Sequence, residues 1–179
     1  MLIVKGMQKV TPPLEPLSGR ELGRLLAVLA GDRWLDKRNV AMISLMARAG
    51  LRVGELVALR VSDVQTSERK GQVLIRQGKG LKERTVPLSR MARAELAVYL
   101  AVRPSFAGVW LFISQGGKPL SARDVQRLVS AASRKAGIAQ AVTPHLCHQS
   151  VAASQHRSSY PLPPPRPRES GDYRPLSSP

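Results

Sequence analysis

Leucines recur at helical spacing early in the chain. Leu22, Leu25, Leu26 and Leu29 fall on one face of a helix. Ser18-Gly19-Arg20-Glu21 precedes them and reads as a capping box, in which the serine accepts from an early helix amide and Glu21 reaches back. Gly31 ends this helix. Asp36 reads as the cap of a second helix, with Val40, Ile43 and either Met46 or Ala47 on one face and Gly50 as its stop. A short third helix is expected from near Val53 to near Leu59. The period then becomes that of strands: 72–76 and 84–88 flank a glycine-rich turn and predict a hairpin. Pro87 has no amide hydrogen for a ladder, which places its strand at an edge.

Helical composition returns over 89–103, with Met91, Leu96, Tyr99 and Leu100 expected to face inward, and Pro104 stops it. Val109-Trp110-Leu111-Phe112-Ile113 predicts a buried strand or extended segment, closed by the Gly116-Gly117 turn. Ser121 opens a further helix with Val125, Leu128, Val129 and Ala132 on one face and Gly137 at its end. Thr143-Pro144-His145 opens the last one, with threonine as cap and proline at the first helical position. Residues 1–17, with Pro12, Pro13 and Pro16, read as a lead-in. Residues 154–179 hold seven of the 14 prolines and almost no apolar side chains, so they are expected to be a disordered tail.

Charge changes this picture more than composition does. The 179 residues carry 28 Lys+Arg against 12 Asp+Glu, a net +16, which points to a polyanionic partner, nucleic acid first. Residues 1–153 alone hold 24 Lys+Arg and 10 Asp+Glu, a net +14. Aromatic residues are 4%, which argues against single-strand binding by stacking. The one cysteine, Cys147, excludes an internal disulfide and suits a reducing compartment. No apolar run is long enough to span a bilayer, and the N-terminus lacks a signal-peptide layout. The expectation is a cytoplasmic, nucleoid-associated protein with no membrane partner.

Chemistry concentrates in Gly50-Leu51-Arg52-Val53-Gly54-Glu55-Leu56, then Ser62-Asp63-Val64, then Gly78-Lys79-Gly80-Leu81-Lys82-Glu83-Arg84-Thr85-Val86-Pro87-Leu88, then Thr143-Pro144-His145. In this order the motifs resemble the catalytic domain of the tyrosine recombinases, the phage-integrase family, over about residues 14–153. The resemblance implies a mostly helical α+β, DNA breaking–rejoining domain with a small β-hairpin or three-stranded sheet, here partial and spanning 18–153. It implies site-specific DNA strand exchange, in which a tyrosine attacks a DNA phosphate and forms a 3′-phosphotyrosine link. Two arginines hold the non-bridging oxygens and a hairpin lysine protonates the leaving 5′-hydroxyl. The residue types suit that work: guanidinium forks match developing phosphoryl charge, and an ammonium among cations can serve as a general acid.

By match, Arg52 is the first arginine, Lys79 the acid and His145 the start of the second box. Lys82 and Arg84 are expected on the DNA backbone, and Glu55 and Asp63 as structural partners. No metal or organic cofactor is implied; His145, Cys147 and His148 are too few for a zinc site. The partners implied are double-stranded DNA and recombinase protomers on it.

The second box departs from the family's His-x-Leu-Arg-His. Without a gap, His148 stands at the arginine and Gln149 at the next histidine. With a one-residue gap, Cys147 stands at the arginine and His148 at the histidine. Either way the second arginine is missing, and Arg157 lies off the pattern. Tyr160 and Tyr173 lack the helical, apolar context of the family nucleophile, and Cys147 has no evident thiolate-stabilising arrangement. The composition change near 146–154 reads as a frame shift, a decayed gene end or an evolved linker. Residues 1–17 are too few for the arm domain that family members carry. The expectation is a catalytically defective chain; the alternative is a non-catalytic basic DNA-binding fragment that occupies or regulates recombination sites.

Overall fold

The computed structural model describes residues 15–67, 69–76 and 83–148. Helix α1 (Gly19–Leu29) starts at the capping box: the Ser18 amide donates to Glu21 Oε2 at 2.9 Å, and the Glu21 amide to Ser18 Oγ at 3.3 Å. Leu22, Leu25 and Leu29 are buried, as their spacing requires. Helix α2 (Trp34–Ala49) begins before Asp36, which corrects that residue's reading as a cap. Asp36 is the third helical residue and accepts from the Arg33 amide at 3.2 Å and its guanidinium at 3.1 and 3.0 Å. The carboxylate still satisfies a helix-start amide, but from inside the helix.

Every residue from Ala41 to Ala47 is buried, so α2 is enclosed on all sides. It packs on α1, on α3 (Val53–Val57) and most extensively on α4 (Arg90–Val102). Gly50 ends α2 at φ 69°, ψ 36°, a left-handed conformation that a β-carbon disfavours. That turn sends Leu51 into the core and starts α3 directly after Arg52. Helix α3 ends at Val57, short of Leu59, whose buried side chain continues the core without continuing the helix.

A 3-10 turn over Val61–Asp63 leads into β1 (Val64–Thr66). With β2 (Gly71–Ile75) and β3 (Arg84–Pro87) it forms a three-stranded antiparallel sheet in the order β1-β2-β3. Pro87 therefore lies on an edge strand, opposite Gln72, and Arg84 lies opposite Ile75. In α4 the inner face is Ala92, Leu96 and Tyr99. Met91, expected to face inward, is 51% exposed, because it sits roughly 100° round the helix from Ala92.

The segment after α4 is held by side chains rather than by a strand ladder. Tyr99 Oη donates to the Leu111 carbonyl at 2.8 Å, and Arg103 Nη2 donates to the carbonyls of Gly108 at 2.7 Å and Trp110 at 2.6 Å. Backbone bonds from Val61 N to Val109 O (2.9 Å) and from Leu111 N to Leu59 O (2.8 Å) tie it to the turn before β1. Leu111, Phe112 and Ile113 are buried, whereas Val109 is exposed. The buried Arg38 guanidinium donates to the Ile113 carbonyl and lies over the Trp34 ring, joining this segment to α2.

Helix α5 (Ala122–Lys135) has Ser121 as its cap and buries Val125, Val129 and Ala132. Residues 144–148 are helical, with Thr143 Oγ1 accepting from the Leu146 amide at 3.3 Å. The lead-in up to residue 14 and the expected tail at 154–179 lie outside the described residues. No described helix is long and apolar enough to cross a membrane.

Candidate nucleic-acid interface

Arg52 is placed by its neighbours. Leu51 and Leu56 are fully buried on either side, and Arg52 occupies the extended cap position of α3 with half its side chain exposed. Glu55, the third residue of α3, turns its carboxylate back beneath it. Its Oε2 accepts from the Arg52 amide at 2.9 Å and its Oε1 from Arg52 Nη1 at 3.1 Å. Arg84, at the start of β3, meets the same carboxylate as a fork: Nη1 to Oε1 at 2.8 Å and Nη2 to Oε2 at 2.9 Å.

This arrangement has definite electrostatics. Glu55 is buried, and burial pushes its carboxyl pKa up. The donations from Arg84 and Arg52 outweigh this and hold it below the usual carboxylate range. The Arg84 guanidinium is raised by its bonds to Glu55. Four donations saturate one carboxylate, which accepts at about four lone-pair sites. Arg52 Nε and Nη2 remain without an acceptor among the described residues. The result is a fixed guanidinium with free donors beside a second cation, an arrangement suited to a phosphate's non-bridging oxygens.

A second carboxylate repeats the device. Asp63 is 2% exposed; its Oδ2 accepts from the Arg60 amide at 2.9 Å and its Oδ1 from Arg76 Nε at 2.6 Å. The Arg60 guanidinium lies 5.6 Å above the Trp110 ring centroid. Sequence reasoning missed Arg60, Arg76 and Trp110. One signal was present: Arg60 to Asp63 repeats the spacing of Arg52 to Glu55.

The remaining expected residues are placed as follows. Arg84 stands at the interface, committed first to Glu55, with its side chain 38% exposed. His145 is exposed and His148 half-buried, with ring centroids 6.3 Å apart. His148 Nδ1 is buried and has no hydrogen-bond partner among the described residues. Cys147 is in the core, and burial pushes its thiol up to about 12, away from a thiolate near neutral pH. Lys79, Lys82, Gln149, Arg157, Tyr160 and Tyr173 lie outside the described residues. No group of three or more metal-ligating side chains occurs among the described residues. The outer face of α5 exposes Arg123, Arg127, Arg134 and Lys135.

A helical domain built round a buried α2, with a three-stranded antiparallel sheet presenting arginines beside a helix-cap arginine, has close counterparts among known proteins. The model of the phage integrase family matches residues 15–163, and the chain belongs to that family of tyrosine recombinases. It is similar to tyrosine recombinase XerC of Vibrio campbellii, with 37% identity over 159 residues, covering 87% of this chain and 50% of that protein. It is also similar to tyrosine recombinase XerD of Oceanobacillus iheyensis, with 34% identity over 142 residues, covering 76% and 46%. The crystal structure of XerA recombinase superposes with a TM-score of 0.72 at 32% identity, covering 84% of this chain and 53% of that one. The lambda integrase catalytic core shares the fold, with a TM-score of 0.62 at 18% identity, covering 82% and 89%. The chain thus spans about half the length of the relatives it matches in sequence.

Proposed function

We propose that this chain acts in site-specific DNA recombination as the phosphate-binding part of a tyrosine recombinase catalytic domain, residues 18–153, on double-stranded DNA. One observation carries the reading: the buried Glu55 holds Arg52 by backbone and side chain, and Arg52 Nε and Nη2 keep no acceptor among the described residues, which leaves them for an anion. Arg52 grips the scissile phosphate. Lys79 is the acid for the leaving 5′-hydroxyl, and Lys82 and the open edge of Arg84 lie along the backbone. His145 and His148 complete the anion pocket. The basic outer face of α5 supplies further contacts to the duplex. Other recombinase protomers share the DNA, in the cytoplasm at the nucleoid.

Strand cleavage by this chain is impaired. The second box offers His148 or Cys147 where the family places an arginine. An imidazole presents at most two N–H groups, pointing apart, against the planar five-donor fork of a guanidinium. The transition-state oxygens therefore lose paired, charge-assisted donors, which elsewhere are worth about 10²–10³ in rate for one donor. The non-catalytic occupant of recombination sites is the limiting case of this reading, and the net +14 of residues 1–153 favours it.

A nicked suicide duplex tests both parts. The chain binds it with an affinity that falls steeply with salt, Arg52→Gln weakens that binding, and no covalent protein–DNA adduct accumulates. An adduct that disappears in Tyr160→Phe or Tyr173→Phe refutes the impairment. Salt-insensitive binding, or none, refutes the DNA-binding role.

A further inference from the structure

We propose that Arg60 and Arg76 form a second phosphodiester-binding station, distinct from Arg52 and built on Asp63 and Trp110. This rests on the reading that the chain binds duplex DNA. Both arginines are held in place before any ligand arrives. Arg76 is anchored through Nε to Asp63 Oδ1 at 2.6 Å, with its side chain 47% exposed. Its two Nη groups have no acceptor among the described residues. Arg60 is anchored through its backbone, with its amide on Asp63 Oδ2 at 2.9 Å. It also bridges directly across to Trp110, on whose ring its guanidinium rests. That cation–π contact holds the guanidinium beside the ring, and its N–H donors have no acceptor among the described residues.

The station adjoins the Arg52 site. A cleft of about 150 Å³ is bounded by Glu55, Arg60, Asp63, Arg76 and Trp110, so the residue that holds Arg52 and Arg84 also lines this cleft. Both carboxylates of the cleft are engaged by arginines, and four arginines face two acids. The local balance is positive, and Arg60, Arg76 and Arg52 keep N–H groups with no acceptor among the described residues. A polymer with regularly spaced phosphates, gripped at Arg52, presents further phosphates to this second pair. The free forks match phosphate oxygens, and two anchored arginines lose less side-chain entropy on binding than free ones.

The test is fluorescence anisotropy of the full chain on a labelled duplex, across a salt series. Each phosphate contact contributes about 0.9 to the slope of log K against log salt. Replacing Arg60 and Arg76 together by Gln should lower the slope magnitude by about 0.9, so the affinity lost between about 50 and 200 mM salt shrinks about 3.5-fold, and Arg60→Gln or Arg76→Gln alone should lower it by part of that. Arg69→Gln, in the turn at the far end of the sheet, should leave it unchanged. Unchanged slopes in both variants, with the parent chain binding normally, overturn the station alone. An equal drop in Arg69→Gln also overturns it, since charge then acts diffusely. A parent chain with no salt-dependent binding overturns the DNA reading and the station with it. If Arg76→Gln unfolds because Asp63 loses its partner, Arg60→Gln decides the question alone.

Discussion

Replacing Glu55 with glutamine keeps the shape of the side chain and removes its charge. The loss is large because one buried carboxylate takes all four donations, two of them the parallel fork of Arg84 at 2.8 and 2.9 Å. Glutamine retains one acceptor oxygen and turns an NH₂ group toward the other donors. Breaking a fully buried pair costs about 3–5 kcal/mol. Here Arg52 and Arg84 are 54% and 38% exposed and can be hydrated again, which discounts that figure. Weakening the Glu55 arm to the Arg52 amide adds a fraction of a capping interaction. The expected destabilisation is about 2–3 kcal/mol at pH 7, or roughly 5–10 °C in Tm for a chain of this size.

Urea unfolding followed by circular dichroism measures this loss, and a pH series adds a sign. Glu55 is held below its ordinary value of 4.5, so its contribution is present above that pH and is lost as pH falls through the lower folded value. The gap between parent and Glu55→Gln should therefore be full at pH 7 and close below about pH 4.5. A gap under about 0.5 kcal/mol at pH 7, the range of an ordinary surface change, refutes the claim that Glu55 holds the site together. So does a gap that widens in acid.

Three further outcomes follow from particular contacts. Ser121→Ala removes the acceptor for the Asp124 amide, at 3.2 Å, and should cost about 1 kcal/mol in urea unfolding; no change would mean that α5 starts without its cap. Gly50→Ala forces a β-carbon into φ 69° and should cost about 1–2 kcal/mol, read as a lower Tm; a neutral result would show that α2 does not end in a left-handed turn. Cys147, buried with its thiol pushed up to about 12, should resist iodoacetamide at pH 8 until the chain is unfolded in urea. Prompt alkylation of the native chain would show that residues 144–148 do not pack on the core.

Much of the helical scaffold was readable from local rules. Ser18 with Glu21, Ser121 with Asp124 and Gly50 declared helix ends, because a cap bond joins residues three apart whatever the rest of the chain does. Misreadings arose where local rules allow neighbouring answers. Asp36 satisfies a helix start as a cap or as the third residue, and only the packing of Trp34 and Arg38 put the start before it. Met91 and Ala92 are adjacent on α4, and the packed core takes Ala92 and leaves Met91 exposed.

The site divides along the same line. Sequence alone determined Arg52 with Glu55, an arrangement written within one helix turn, and the ordered motifs that identify the family. Tertiary structure decided that Arg84 joins Glu55 from 29 residues away, that Arg76 reaches Asp63 across 13, and that Arg60 rests on Trp110. Those pairings depend on strand register and on how the sheet lies against α3. Both are set by the total apolar burial of the folded chain, which no short stretch of residues encodes.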